Sequence, residues 1–126
     1  MKITFALAAA ALFGLSAHAS AQDAEAGKKV FNRCKACHTV EAATNKVGPH
    51  LDGIVGRKAA AVPDFAYSDA MKAKGAEGLV WDEANLTAYL TDPRGFIPGN
   101  KMAFAGLKKA DDVANLIAFL KTAPAK

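Results

Sequence analysis

Cys34-Lys35-Ala36-Cys37-His38 holds both cysteines of the chain. The spacing C-x-x-C-H is the attachment signal of c-type haem. Two thiols add across the vinyl groups to form thioethers, and the neighbouring histidine is placed to reach the iron. Other chemistries suit the pentapeptide less well. A disulfide closing so short a loop would restrain little of the unfolded chain, because the effect grows with loop length. A thioredoxin-like redox pair sits beside a βαβ pattern, and no alternating strand pattern is evident here. A zinc site needs about four ligands. Beyond residue 21 the Cys and His residues are Cys34, Cys37, His38 and His50, two of them adjacent.

Upstream of the motif the composition changes sharply. Residues 1–21 carry one charged side chain, Lys2, then an apolar run from Ile3 to Leu15 and the small-residue segment Ser16-Ala17-His18-Ala19-Ser20-Ala21. That order is the pattern of a cleaved secretory signal. The apolar run is too short for the ~20 residues that span a bilayer, which makes a permanent membrane helix the weaker reading. Ala19-Ser20-Ala21 is the expected cleavage site, leaving Gln22 first, and Ala17-His18-Ala19 is a second candidate. Residues 22–126 then form one domain of 105 residues, with 15 basic and 12 acidic side chains and a net charge of +3. This length excludes two domains or a large enzyme with its own cofactor domain, and two cysteines exclude a disulfide scaffold. So small a chain is marginal on burial alone, so something is expected to help it fold. Export to an oxidising compartment also matches where haem attachment is expected.

Around the motif the periodicity is helical in short pieces, without repeats or low-complexity linkers. A helix is predicted over 23–33, ending at Cys34, with Asp23 and Glu25 in its first turn. Residues 39–65 lack sustained periodicity and carry Gly48-Pro49, Gly53, Gly56 and Pro63. A loop this long inside a small domain is expected only if it wraps around something. Ser68-Asp69 caps a short helix through Lys74. Asp82 and Glu83 begin another, with Leu86, Tyr89 and Leu90 on one face, stopped by Asp92-Pro93. Over 109–121, Val113, Leu116, Ile117 and Leu120 recur at i, i+3, i+4 and i+7, the strongest helical signal in the chain. The expected fold class is all-α with long loops.

The second axial position of a haem decides between electron transfer and oxygen chemistry, and methionine, histidine or an open site are the options. Besides the initiator the chain has Met71 and Met102. A methionine is by default a gap-filler in a core, which suits Met71. Met102 instead sits in the turn-rich segment Ile97-Pro98-Gly99-Asn100-Lys101-Met102-Ala103-Phe104, on a loop far from His38. His50, the rival, is read as an exposed loop residue.

Several long segments now resemble one family. Val30-Phe31-Asn32-Arg33 running into the haem motif, then KVGPHLDGIVGR (46–57), FAYSDAMKAKG (65–75), Trp81 and YLTDPRGFIPGNKMAFAG (89–106) are similar, in order, to class I cytochrome c. The likeness is greatest to the short bacterial cytochrome c2 type, itself similar to mitochondrial cytochrome c. The resemblance implies an all-α class I cytochrome c fold whose N- and C-terminal helices cross, with long loops around one covalent haem c. It implies that Cys34 and Cys37 are the thioether anchors and that His38 and Met102 are the axial metal ligands. By the same resemblance, Pro49 offers its carbonyl to His38, and Arg57, Tyr67 and Trp81 hold a propionate. Tyr89 lies near the Met102 sulfur, Phe104 covers the haem edge, and Gly27 and Phe31 let the first helix cross the last against Leu116 and Phe119. Three departures stand out. Asn100 stands where threonine is usual, which puts the hydrogen bond from that hydroxyl to the propionate in question, although an amide could replace it. Met71 replaces a frequent asparagine, and residues 75–81 lengthen a loop.

The resemblance implies a soluble periplasmic electron carrier, not an enzyme, that shuttles single electrons between membrane redox complexes such as a bc1-type reductase and an oxidase or photosynthetic reaction centre. A haem sensor or peroxidase with an open axial site is the alternative, and would leave Met102 structural. Arg33, Lys35, Lys46, Arg94, Lys101, Lys108 and Lys109 flank the segments expected at the haem rim and are read as a basic docking surface for acidic partners. Lys28, Lys29 and Lys121 are read as an ordinary solvated face. Nucleic acid is excluded by the modest charge and by export. A monomer is expected.

Overall fold

Asp23 folds its carboxylate back onto the backbone N–H groups of Glu25 and Ala26, at 2.9 and 3.3 Å. That is an N-cap, so Asp23 precedes helix α1 (Ala24–Val30) rather than sitting in its first turn. The helix tightens into a 3-10 turn over Phe31–Arg33, with the Cys34 N–H on the Phe31 carbonyl at 2.8 Å. The structure is a computed structural model and describes residues 22–123. The expected export segment lies outside the described residues.

Ser68 accepts from the Met71 N–H and starts α2 (Asp69–Ala76), two residues longer than the pattern suggested. The helix thus absorbs the first part of the expected 75–81 loop, and Gly78, at φ +90°, makes the exit turn. Asp82 caps α3 (Glu83–Thr91) through the Asn85 N–H at 2.8 Å. Asp92-Pro93 stops it and at once opens a further single turn, α4 (Pro93–Phe96), with the Asp92 carboxylate on the Gly95 N–H. Proline fits the first position of a helix because its missing N–H has no partner there anyway. The final helix, α5 (Ala110–Lys121), turns Val113, Leu116, Ile117 and Leu120 inward, each at most 3% exposed.

Helices α1 and α5 cross at Gly27, where a Cβ would run into the Asn115 carbonyl and the Phe119 side chain. Only a residue without a side chain permits that approach. Beside the crossing, the Phe31 and Phe119 rings pack at 5.4 Å, and the Asp23 N–H reaches Asn115 Oδ1 at 3.0 Å. At the other end, Lys121 pairs with Glu83 and ties α5 to the start of α3. Among the described residues the extended structure is one isolated antiparallel bridge, Lys58 to Val80. Its neighbours Trp81 N–H to Arg57 carbonyl and Gly56 N–H to Trp81 carbonyl, both 2.8 Å, fasten the long loop to the approach of α3. The fold is therefore helical with wrapped loops, as its sequence pattern indicates.

Candidate functional site

The pentapeptide winds as one helical turn, with the His38 N–H on the Cys34 carbonyl at 2.9 Å and the Cys37 N–H on the same carbonyl at 3.1 Å. Cys34, Cys37 and His38 all face a cavity of about 350 Å³. Both cysteines are free thiols. Burial pushes the Cys34 thiol above its usual range, against the pull of Arg33 and with a small push from Cys37. A thiol held protonated in this way is a poor attacking thiolate, which argues against a thiol-redox centre.

His38 is held from two sides. Its ring lies over Gly48, where any Cβ would meet the imidazole. Its Nδ1 is 2.7 Å from the Pro49 carbonyl. A carbonyl only accepts, so Nδ1 carries the proton and Nε2 keeps its lone pair. Burial lowers the His38 pKa; the Pro49 bond opposes that, and Arg57 and Lys46 add to the lowering. The imidazole is thus neutral near pH 7, the form that binds a metal. Met102 enters the same cavity from the loop after α4.

Asn100 supports Met102. Its Oδ1 accepts the Met102 N–H at 2.9 Å, and its Nδ2 donates to the Pro93 and Ile97 carbonyls, both at 2.9 Å. Both amide protons are spent inside the loop. Asn100 borders the cavity and works as a loop brace, which bears on the open question of whether an amide there can serve a propionate: both of its protons already have acceptors.

Arg57, Tyr67 and Trp81 also line the cavity. The backbone pairing of Arg57 with Trp81 brings the first and third together, and the Tyr67 hydroxyl accepts the Val62 N–H at 3.1 Å. Arg57 Nε is buried with no hydrogen-bond partner in the protein. A buried, unpaired guanidinium nitrogen calls for an acceptor, and a haem carboxylate would supply one. Burial lowers the Arg57 pKa, with Tyr67 and Asp52 pulling it back up. Tyr89, buried at 8% exposure and 4.9 Å from Trp81 ring to ring, forms the inner wall. Its phenol is pushed up to about 12 by burial alone. Phe104 and Met71 complete the apolar lining. An apolar slot with two thiols, a neutral imidazole, a thioether and one orphaned cation fits haem.

Residues 24–124 match the cytochrome c family. The chain is 52% identical over 98 residues to cytochrome c2 of Afifella marina, covering 77% of this chain and 79% of that one. It is equally identical over 99 residues to cytochrome c-550 of Nitrobacter winogradskyi, covering 78% and 88%. Among solved structures, cytochrome cH from Methylobacterium extorquens superposes with a TM-score of 0.72 at 48% identity, covering 79% of this chain and 98% of that one. The chain belongs to the cytochrome c family. As a class I cytochrome close to the c2 type, it is an electron carrier rather than an enzyme and carries one covalently bound haem c.

The candidate docking cations of this cytochrome do not form one group. All seven are exposed, and among the described residues none is in an ion pair. Arg33 and Lys101 border the cavity. Lys46 Nζ rests on the Lys35 carbonyl at 2.7 Å, which places both beside the haem motif. Arg94, Lys108 and Lys109 do not border it. His50 is also corrected: it is half-buried, because its carbonyl accepts from Arg57 Nη2 at 2.9 Å and its N–H bonds Asn45 Oδ1 at 2.9 Å. Seven residues separate His50 from Arg57, on a loop without periodicity, so no sequence signal linked them.

Proposed function

We propose that this cytochrome is a soluble carrier, exported by removal of residues 1–21, whose domain over 22–126 moves single electrons between membrane redox complexes in the periplasm. The observation that carries this reading is the convergence of His38 and Met102 on one cavity, with His38 fixed in its Nδ1–H form by Pro49. Cys34 and Cys37 would hold the haem, and His38 Nε2 and the Met102 sulfur would be its iron ligands. When bound, haem supplies a one-electron couple at its iron. With His38 and Met102 both serving as ligands, no site would be left for a substrate, and a thioether ligand would raise the potential relative to a second histidine. The chain's own part is to keep these ligands still. Pro49 and Gly48 fix the imidazole, Asn100 fixes the methionine loop, and Arg57 neutralises a propionate. Tyr89 and Trp81 keep the interior apolar, which favours the less charged state.

Arg33 and Lys101, which border the cavity, and Lys35 and Lys46 beside the haem motif would steer the protein to acidic docking surfaces on bc1-type reductases and on oxidases or reaction centres. The protein is expected to act as a monomer.

The purified protein is expected to be red, to keep its haem through acid-acetone extraction, and to show in the ferric form the weak red band of methionine-to-iron ligation. Met102→Ala should abolish that band and open the iron to cyanide or imidazole. An unchanged spectrum in Met102→Ala would sink the ligand assignment, and rapid cyanide binding by the unmodified protein would favour the open-site reading.

A further inference from the structure

Two loop segments line the haem cavity and lead to different axial residues. Residues 39–52 carry Gly48 and Pro49, which hold the His38 ring, Pro49 through its carbonyl at 2.7 Å. Residues 61–68 run into α2, whose first turn is capped by Ser68 on the Met71 N–H at 3.1 Å. Ala70 of that turn lies against the Met102 loop, since a Cβ on Gly99 would stand 3.4 Å from the Ala70 Cβ. The far end of α2 is fastened separately, by the Ala59 N–H on the Leu79 carbonyl at 2.8 Å and by the bridge of Lys58 with Val80.

One side chain ties down the near end. Asn45 Oδ1 accepts the His50 N–H at 2.9 Å within the first segment, and Asn45 Nδ2 donates to the Asp64 carboxylate at 3.1 Å on the second. An amide can do both because it presents an acceptor and donors on one flat group. Among the described residues, the Asn45–Asp64 contact is the one hydrogen bond that joins the two segments. Asn45 is half-buried and Asp64 exposed, and neither lines the cavity.

We propose that Asn45, anchored on Asp64, is a positioning residue for the axial pair: it ties the segment that holds His38 to the segment that backs the Met102 loop, and so slows departure of the Met102 sulfur from the iron. The inference rests on the reading of His38 and Met102 as iron ligands, and adds a residue that touches neither. The Ala70–Gly99 contact is van der Waals packing, which supports the loop only while α2 stays close, because a small gap forfeits much of the attraction. Cutting the Asn45–Asp64 bond frees residues 61–68 to draw away with the first turn of α2, and the loop loses its backing. Asn100 braces the same loop from within, whereas Asn45 acts from behind it. Coupling carried through packed neighbours in this way is established by measurement on paired variants rather than by proximity.

The test is the rate at which imidazole binds the ferric, haem-loaded protein, a step that waits on departure of the sulfur. Asp64→Ala removes the cross-segment bond and leaves Asn45 on His50. It should speed binding by about threefold to tenfold, the worth of one partly exposed hydrogen bond. Asp64→Asn keeps an oxygen for Asn45 Nδ2 and should match the parent. Asn45→Ala should speed binding at least as much as Asp64→Ala, and adding Asp64→Ala to it should change nothing further. The control is Asn115→Ala, which removes a bond of like kind, to the Asp23 N–H at 3.0 Å, away from the cavity. It should leave the rate unchanged. A parent rate in Asp64→Ala overturns the proposal. So does equal speeding by Asn115→Ala, which would assign the effect to general stability, or by Asp64→Asn, which would assign it to charge. The three variants at Asp64 and Asn115 decide the matter even if Asn45→Ala loads haem poorly. A parent protein without the weak red band of methionine ligation would instead fail at the ligand reading, so the two failures are distinguishable.

Discussion

The Met102 N–H donates to Asn100 Oδ1 at 2.9 Å, and the same amide donates to two carbonyls on the approach to the loop, so a single side chain holds the segment that carries the sulfur. Removing it with Asn100→Ala takes away three hydrogen bonds and leaves the Met102 N–H without its partner, since the Pro93 and Ile97 carbonyls keep the N–H groups of Ile97 and Asn100, at a cost of about 1–3 kcal/mol. The sulfur should then leave the iron more often. Imidazole binding to the ferric protein, which waits on that departure, is expected to speed up by about tenfold or more. A rate equal to that of the parent would show that the brace does not control the ligand.

Gly27 and Gly78 give opposite reasons for lacking a side chain. At Gly27 a Cβ meets the backbone of α5, whereas at Gly78 nothing lies within reach and only the φ of +90° demands glycine. Gly27→Ala must separate the two terminal helices, and overpacking of this kind costs about 1–3 kcal/mol. Gly78→Ala pays only for a left-handed backbone, about 1–2 kcal/mol. Guanidinium unfolding should place the Gly27 variant lower, and should show weakened near-ultraviolet signals of Phe31 packing for that variant alone.

Tyr89 makes the protein sensitive to base. Its folded pKa of about 12 lies above the usual value of 10, so between these limits the unfolded chain loses the phenolic proton while the folded chain keeps it. The contribution is fully present below about pH 10 and is lost as pH rises toward about 12. Tyr89→Phe should unfold less readily than the parent over that interval, by up to about 2–3 kcal/mol after correction for the change at neutral pH. Equal base sensitivity would assign the effect to other groups.

Charge placement should matter more than net charge. Lys101→Glu and Lys46→Glu, beside the cavity and the haem motif, are expected to slow electron transfer to an acidic-faced reductase or oxidase and to flatten its dependence on salt. Lys29→Glu, on α1 and outside the cavity lining, makes the same change in net charge and should do so far less. Equal slowing by all three would mean that only the total charge counts.

Much of this arrangement is legible before folding. The attachment motif, the α5 stripe from Val113 to Leu120 and the cap-forming Ser68 and Asp82 are local signals, each set by residues within a turn or two. Other features depend on distant contacts. The turn α4 hides because Pro93 reads equally as a stop or as a first helical residue, and only the Asp92 side chain on Gly95 decides. The bracing by Asn100 and the burial of His50 escape the sequence for a related cause. An amide's hydrogen bonds are spent wherever the chain brings acceptors, and a histidine in a loop is buried only when an arginine seven residues on folds back over it. The grouping of Lys35 and Lys46, and the separation of Arg94 and Lys108 from the cavity, likewise follow from loop paths that carry no periodic trace.

The lining of the haem cavity includes Phe31 from the first turn, Leu86 and Tyr89 from α3, and Leu116 and Leu120 from α5, which are also members of the main hydrophobic cluster. The space is thus the centre of the core rather than a pocket beside it. Left empty, about 350 Å³ at ~24 cal/mol per Å³ costs on the order of 8 kcal/mol, as much as a small domain's whole stability. Assembly is consequently ordered in time. A newly made chain is expected to stay open, with Cys34 and Cys37 within reach, until the prosthetic group is joined to them, with closure of the helices after that bond. A chain that misses the step is expected to have no folded refuge and to be open to proteolysis, so that only loaded molecules would persist.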